Sequence, residues 1–146
     1  MLQIVRLSDH LPDDFEQIRS AARSEGIRNM ELLAERWASG QDRFDRDGEV
    51  LLAGYIAGRL AGIGGLSIET AMTEPARRLR RFYILPEHRR QGVATALASA
   101  LIQEALNQVR VLTVNAKASA AAGPFWEAQG FKADDAGPWT HIYRPE

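Results

Sequence analysis

The chain has 146 residues, 45% of them hydrophobic and 25% charged, with a net charge of -1. That length suits one domain with a real core, and the charge gives no global basic field to draw it to nucleic acid or to a membrane. It contains no cysteine, which excludes disulfides, thiolate metal sites and a cysteine nucleophile, and fits a reducing cytoplasmic setting.

Gln3-Ile4-Val5-Arg6-Leu7 reads as a first strand. Ser8, Asp9, Pro12 and Asp13 are turn and helix-start residues, after which Phe15, Ile18 and Ala22 recur at helical spacing up to Gly26. A second helix is predicted over residues 29–39, with Leu32, Leu33 and Trp37 on one face, and the polar stretch 40–48 is a loop. Two apolar runs, 50–56 and 60–68, meet at Ala57-Gly58-Arg59 and predict a hairpin. After a loop over 69–75, residues 79–85 form the next strand. Leu97, Leu101, Ala105 and Val109, with Ile102 and Leu106 beside them, make a stripe at 3.6-residue spacing and predict a helix. Residues 109–114 read as a buried strand. Residues 118–129 read as a short helix, broken early by Gly123-Pro124 and capped by Gly130. Residues 131–133 and 140–144 pair as a closing hairpin. The order β-α-α-β-β-β-α-β-α-β-β predicts an α/β chain, a mixed sheet with helices on its faces, in one domain over residues 1–146. Residues 1–10 alternate and carry charge, unlike a signal peptide, and no apolar run nears the roughly 20 residues of a membrane span.

The most informative stretch is Arg80-Arg81-Phe82-Tyr83-Ile84-Leu85-Pro86-Glu87-His88-Arg89-Arg90-Gln91-Gly92-Val93-Ala94-Thr95. It is a strand, a tight basic turn and a helix start. Gly92 and Ala94 keep side chains off the backbone where the helix begins, and Thr95 adds a hydroxyl. A helix N-terminus has free N–H groups and partial positive charge, and Arg89 and Arg90 add full charges beside it. The arrangement fits a pyrophosphate. The plain alternative is a strand–helix turn that needs small residues only for packing.

The order of elements and residues 80–97 resemble the GNAT superfamily of acyl-CoA-dependent N-acetyltransferases. A second stretch agrees: Val114-Asn115, then Ala122-Gly123-Pro124-Phe125-Trp126-Glu127-Ala128-Gln129-Gly130-Phe131. The resemblance covers nearly the whole chain and implies acetyl-CoA as co-substrate, with no metal. It implies a sheet split where the strands at 79–85 and 109–114 part at their C-terminal ends, with the pantetheine arm entering as an extra strand. Ile84 would then supply backbone bonds, and the N–H groups of Gln91, Gly92, Val93, Ala94 and Thr95 would hold the pyrophosphate, with Arg89 and Arg90 adjacent. Asn115 and Ser119 fall where the family often places polar groups on the pantetheine amides, although a helix N-cap is an equally good reading of Ser119. The first two helices would border the acceptor, with Arg28, Asn29, Glu31, Glu35 and Arg36 as contacts; a solvated helix face explains these residues equally well.

Two positions depart from the family pattern. Where many members carry a tyrosine that protonates the departing thiolate, this chain has Trp126, whose indole N–H donates a hydrogen bond but supplies no proton at neutral pH. Trp126 either walls the acyl channel or is plain core. Tyr83 and Tyr143 are the phenols left as substitutes. Where some members carry a Glu or His base before the basic turn, this chain has Arg78 and Arg80, which strand alternation places on the same face as Phe82. An arginine stays protonated, so neither is a base. They are either a solvated strand edge or contacts to a carboxylate or phosphate of the acceptor. Glu69, through a water chain, and His141, on the last strand, are the candidate proton acceptors, against a surface carboxylate and an ordinary strand residue. His10 and His88 sit in turns, and no two histidines have ligand spacing, so no metal site is predicted.

Three functions compete. The first is an N-acetyltransferase that moves an acetyl group from acetyl-CoA to the amine of a small molecule or peptide by direct attack. The second is a CoA-binding sensor or accessory module without turnover, favoured by the missing tyrosine and base. The third, a nucleic-acid binder using residues 77–90, is opposed by the net charge and by the lack of interleaved exposed aromatics. Family habit also suggests a homodimer, with the C-terminal strands as edges.

Overall fold

In a computed structural model describing residues 1–145, the elements follow the predicted order. They are β1 (Leu2–Leu7), α1 (Phe15–Ser24), α2 (Asn29–Ser39), β2 (Val50–Ile56), β3 (Arg59–Ile68), β4 (Ala76–Ile84), α3 (Val93–Leu106), β5 (Val111–Val114), α4 (Ala122–Ala128), β6 (Lys132–Ala133) and β7 (His141–Tyr143), with a 3-10 turn at Pro86–His88. One mixed seven-stranded sheet runs β1-β2-β3-β4-β5-β7-β6. Every neighbouring pair is antiparallel except β4 and β5, which are parallel.

Each face of the sheet carries its own core. Leu79, Ile84, Leu97, Leu101, Leu112, Val114, Trp126 and Phe131 pack together under α3 and α4. Phe15, Ile18, Met30, Leu33, Trp37, Phe44, Leu51, Ile63 and Tyr83 pack under α1 and α2 on the other face. In α2 the buried positions are Met30, Leu33 and Trp37, so Met30 rather than the expected Leu32 completes the apolar stripe. β2 and β3 join through Ala57 and Gly58, both at positive φ (50° and 79°), the backbone that a two-residue hairpin turn needs to match strand twist. Glycine at 64 allows close layering. A Cβ there would lie 2.8 Å from Phe82 Cδ2 and 3.0 Å from Leu101 Cδ1, so only a bare backbone lets Phe82 and α3 lie flat on β3.

Four local readings need correction. β4 begins at Ala76, not residue 79. Val109 lies past the end of α3, its N–H bonded to Ala105 C=O at 2.9 Å, and β5 starts only at Val111. Helix α4 starts at Ala122, with Ala121 as its N-cap residue, so Ser119 is no cap. Gly123 and Pro124 lie in the first turn of α4 and do not break it, because proline there lacks an N–H that would have no intrahelical partner anyway.

A fifth correction matters most. Ile63 pairs with Tyr83 but Gly65 pairs with Arg80, so β4 has one more residue than β3 across that step. The extra residue is accommodated at Arg81, whose φ is +56°. This β-bulge resets the alternation. Arg80 therefore sits on the α1/α2 face, its guanidinium 5.6 Å over the Phe44 ring, while Phe82 lies on the α3/α4 face against Phe125 and Trp126. The expected common face for Arg80 and Phe82 is broken by that single inserted residue.

Candidate functional site

β4 and β5 pair over four positions, Ala76 with Val111 through Leu79 with Val114, and then separate. Residues 80–84 of β4 thus have an edge with no strand beside it on the β5 side. Leu85 N–H bonds Ala61 C=O in β3 at 2.8 Å, so its neighbour Ile84 directs its backbone groups toward the open edge. The Ile84 carbonyl accepts from Arg89 Nε at 3.2 Å.

The basic turn follows directly. Arg90 (φ +66°) and Gly92 (φ +82°) both adopt the left-handed conformation, and Gly92 occupies the N-cap position of α3 with no side-chain cap. The first backbone bond into the helix runs from Ala96 N–H to Gly92 C=O at 3.0 Å. The N–H groups of Val93, Ala94 and Thr95 therefore have no intrahelical partner, at the positive end of a 14-residue helix. Arg90, Gln91, Gly92 and Thr95 are exposed. These N–H groups form an open cradle of donors directly beyond the edge of β4 that has no partner strand.

Arg89 does not point into that cradle. Its guanidinium grips Glu25 with two bonds, Nη1 to Oε2 at 2.9 Å and Nη2 to Oε1 at 2.7 Å, and lies 5.5 Å over the Tyr83 ring. Tyr83 donates its hydroxyl to the same carboxylate. Burial, then the hydrogen bond to Glu25, hold the Tyr83 phenol well above its ordinary pKa. Its proton is committed, so Tyr83 is a poor acid. Tyr143 stands opposite Leu112, two positions back from where β5 leaves β4, with its ring 5.4 Å from Phe131. Trp126 is buried, 4.9 Å from both Phe82 and Phe125 and 5.4 Å from Phe131. It is core that also backs the open edge through Phe82.

Glu69 is not the surface carboxylate that its position suggested; it is 9% exposed. It accepts from Thr113 Oγ1 at 2.8 Å and from Ala71 N–H at 3.0 Å. Glu69, Arg78, Thr113, Asn115 and Trp139 line a cavity of about 70 Å³. His141, opposite Val114 in β7, is also buried; its Nε2 lies 2.9 Å from Glu127 Oε2 and its Nδ1 2.8 Å from Thr140 Oγ1. Asn115 is tied to local backbone, donating to Pro138 C=O at 3.4 Å and accepting from Lys117 N–H at 3.1 Å. Ser119 is exposed in the turn before α4.

The arginines before the turn are not a solvated edge. Arg77 bonds Gly48 C=O at 3.2 Å and Gln108 Oε1 at 2.9 Å. Arg80 pairs with Asp42 at 3.0 Å with its side chain 15% exposed, and its Nε is buried with no partner among the described residues. Burial, then the charges of Arg80 and Arg36, pull Arg81 down to about 10. Asn29, at the start of α2, donates Nδ2 to Phe82 C=O at 3.0 Å, while its Oδ1 is buried and unpartnered among the described residues. Of the other α2 residues named from sequence, Glu31 is taken up by Arg19 and by Arg23 at 2.6 Å. Arg81 and the reach of Asn29 to β4 were missed in the sequence; the density of arginine was the available signal. Among the described residues no three His, Asp or Glu are grouped to hold a metal, and no helix is long and apolar enough to cross a membrane.

The family model for the acetyltransferase (GNAT) domain matches residues 18–138. No protein of curated function matches the chain in sequence. Among solved structures, a protein from Exiguobacterium sp. 255-15, assigned provisionally as an acetyltransferase, superposes with a TM-score of 0.87 at 23% identity, over 99% of this chain and 93% of that one. An acetyltransferase from Streptococcus agalactiae gives 0.73 at 11% identity, over 99% and 98%. The PaiA N-acetyltransferase of Thermoplasma acidophilum, solved in complex with coenzyme A, gives 0.65 at 20% identity, over 99% of each chain.

Proposed function

The chain belongs to the GNAT acetyltransferase family, and on that premise we propose that it transfers an acetyl group from acetyl-CoA to the amine of a small molecule or peptide. The observation that carries this reading is the adjacency of two backbone sites: the β4 edge over residues 80–84, which has no strand on the β5 side and whose Phe82 and Ile84 carbonyls meet only side chains, and the free N–H groups at the start of α3. A pantetheine arm has peptide-like amides and needs a strand edge; a pyrophosphate needs N–H donors. The turn supplies the second where the first ends.

Ile84 offers the backbone bonds, and Gln91, Gly92, Val93, Ala94 and Thr95 hold the pyrophosphate with Arg90 beside them. Acetyl-CoA supplies an activated acyl carbon, which the amine nitrogen takes as the C–S bond breaks and CoA leaves as the thiol. The protein's part is to place the two partners and remove a proton. Glu69 is our candidate acceptor for that proton. It is the buried carboxylate on the face that also carries Arg80, and its cavity of about 70 Å³ has room for about two waters at roughly 30 Å³ each.

The test is thiol release from acetyl-CoA over an amine panel; with no cysteine in the chain, a thiol reagent reports only CoA. Gly92→Glu forces a side chain onto a φ of +82° and puts a negative charge at the phosphates, so calorimetry should show loss of CoA binding. Glu69→Gln should lower kcat by about 100-fold, the usual scale for losing a general base, and leave the KM for acetyl-CoA unchanged. A Glu69→Gln enzyme with wild-type kcat removes Glu69 from the reaction. The reading of a CoA-binding module without turnover is favoured by Trp126, buried where a phenol would serve, and it prevails if CoA binds and no amine in the panel is acetylated.

A further inference from the structure

We infer that the acceptor is an amine bearing an oxyanion, a carboxylate or phosphate, which Arg81 and Arg80 bind while Asn29 Oδ1 accepts an N–H from the amine. This rests on the acetyltransferase reading and concerns the α1/α2 side of the same split.

The positions come from the bulge. Arg80 and Arg81 are the first two β4 residues past the last β5 partner, so they flank the start of the open edge. Regular alternation would send one of them to each face; the inserted residue at Arg81 breaks that rule. Arg81 ends up within electrostatic reach of Arg80, Arg36 and Arg78. The carboxylates facing this group are Asp42, bound to Arg80, Glu49, and Glu69, which shares a cavity with Arg78. Four guanidiniums thus confront three carboxylates in a half-buried space. A cluster of like charge is costly to fold, whereas it matches an oxyanion that brings the missing negative charge.

Asn29 gives the second half of the match. Its Nδ2 is committed to the Phe82 carbonyl, which fixes the amide orientation and leaves Oδ1 turned the other way, buried and without a donor. Arg80 Nε is the complementary orphan, a buried donor without an acceptor among the described residues. An orphan acceptor held at Phe82 and an orphan donor two residues back along β4 suit a single small molecule with a positive and a negative end.

Matched amine pairs test this: O-phosphoethanolamine against ethanolamine, and β-alanine against β-alaninamide. The anionic member of at least one pair should show a kcat/KM about ten-fold or more above its neutral partner, and that pair names the oxyanion. Arg81→Gln should erase the preference and Arg81→Lys should keep most of it, with the KM for acetyl-CoA the same in both. Binding is read separately by calorimetry with millimolar O-phosphoethanolamine and β-alanine, which needs no turnover; Arg81→Gln should weaken the binding seen by about ten-fold. Neutral amines used as well as anionic ones, or a preference that survives Arg81→Gln, overturns the inference while leaving the acetyltransferase reading intact. Anion binding that depends on Arg81 without any thiol release supports the site and sinks the transfer reading instead.

Discussion

Glu25 shows how much one side chain at a helix end can organise. It follows the last residue of α1, and its carboxylate receives both Arg89 guanidinium bonds and the Tyr83 hydroxyl, so it joins α1 to β4 and to the turn before α3. These contacts explain why Arg89 faces away from the cradle although its charge, read in sequence, belonged there. The Arg89 bonds, then the Tyr83 hydroxyl, hold Glu25 below its ordinary 4.5. Glu31, clasped by Arg19 and Arg23, is held to about 2. A carboxylate whose folded pKa is depressed contributes stability above its unfolded pKa and loses it as pH falls through the folded value. The melting temperature of the wild type should therefore decline as pH drops from 4.5 toward 2. Glu25→Gln should be less stable by about 1 kcal/mol at pH 7, the upper end for a partly exposed pair, and the gap to wild type should close in acid. Thermal melts of the two proteins from pH 7 to pH 2 check this. A gap that stays constant would mean that Glu25 acts through shape and not charge.

At the scale of elements, what was legible in the sequence followed from local periodicity, and what was not depends on partners far along the chain. The stripe of Leu97, Leu101 and Ala105 identified α3 because helical spacing is a property of the helix itself, and Gly58 identified the β2–β3 turn because glycine accepts the positive φ a tight turn needs. The basic turn was legible for the same reason: Gly92 and the small residues after it describe their own backbone. The bulge in β4 was not. It exists only as a mismatch of register between Gly65–Arg80 and Ile63–Tyr83, and nothing about an arginine at 81 announces φ of +56°. Alternation carried through the bulge puts Arg80 on the face of Phe82, whereas the two lie on opposite faces. The burial of Glu69 was hidden likewise, since its partner Thr113 lies 44 residues away. Asn29 looked like any polar residue opening a helix, yet it bonds residue 82, 53 positions on. In each case a long-range contact overrode a sound local rule, and each lies beside the split where the functional reading is concentrated.

For the whole molecule, the consequence of the split is mechanical. Four parallel pairs between β4 and β5 connect the sheet of β1 to β4 with the smaller group of β5, β7 and β6. Past Leu79 and Val114 no strand pairing joins the two parts, and Phe82 packs on Phe125 and Trp126 across the opening. Such a seam is the place where a protein opens at low cost, because few backbone bonds cross it. A ligand that bonds the free β4 edge and the start of α3 supplies contacts there that the apoprotein lacks. Its binding should then raise stability by mass action, about 2.7 kcal/mol at a CoA concentration 100 times its Kd. For a chain of this size that corresponds to a rise in Tm of roughly 5–10 °C. Hydrogen exchange should locate the gain. The outward amides of Phe82 and Ile84 and those of residues 91–95 should slow on adding CoA, while those of the β1–β2 pair, at the far edge of the sheet, should change only as global stability does. A rise in Tm with no added protection at Ile84 would place CoA somewhere other than the split, since binding along that edge must cover its outward N–H group.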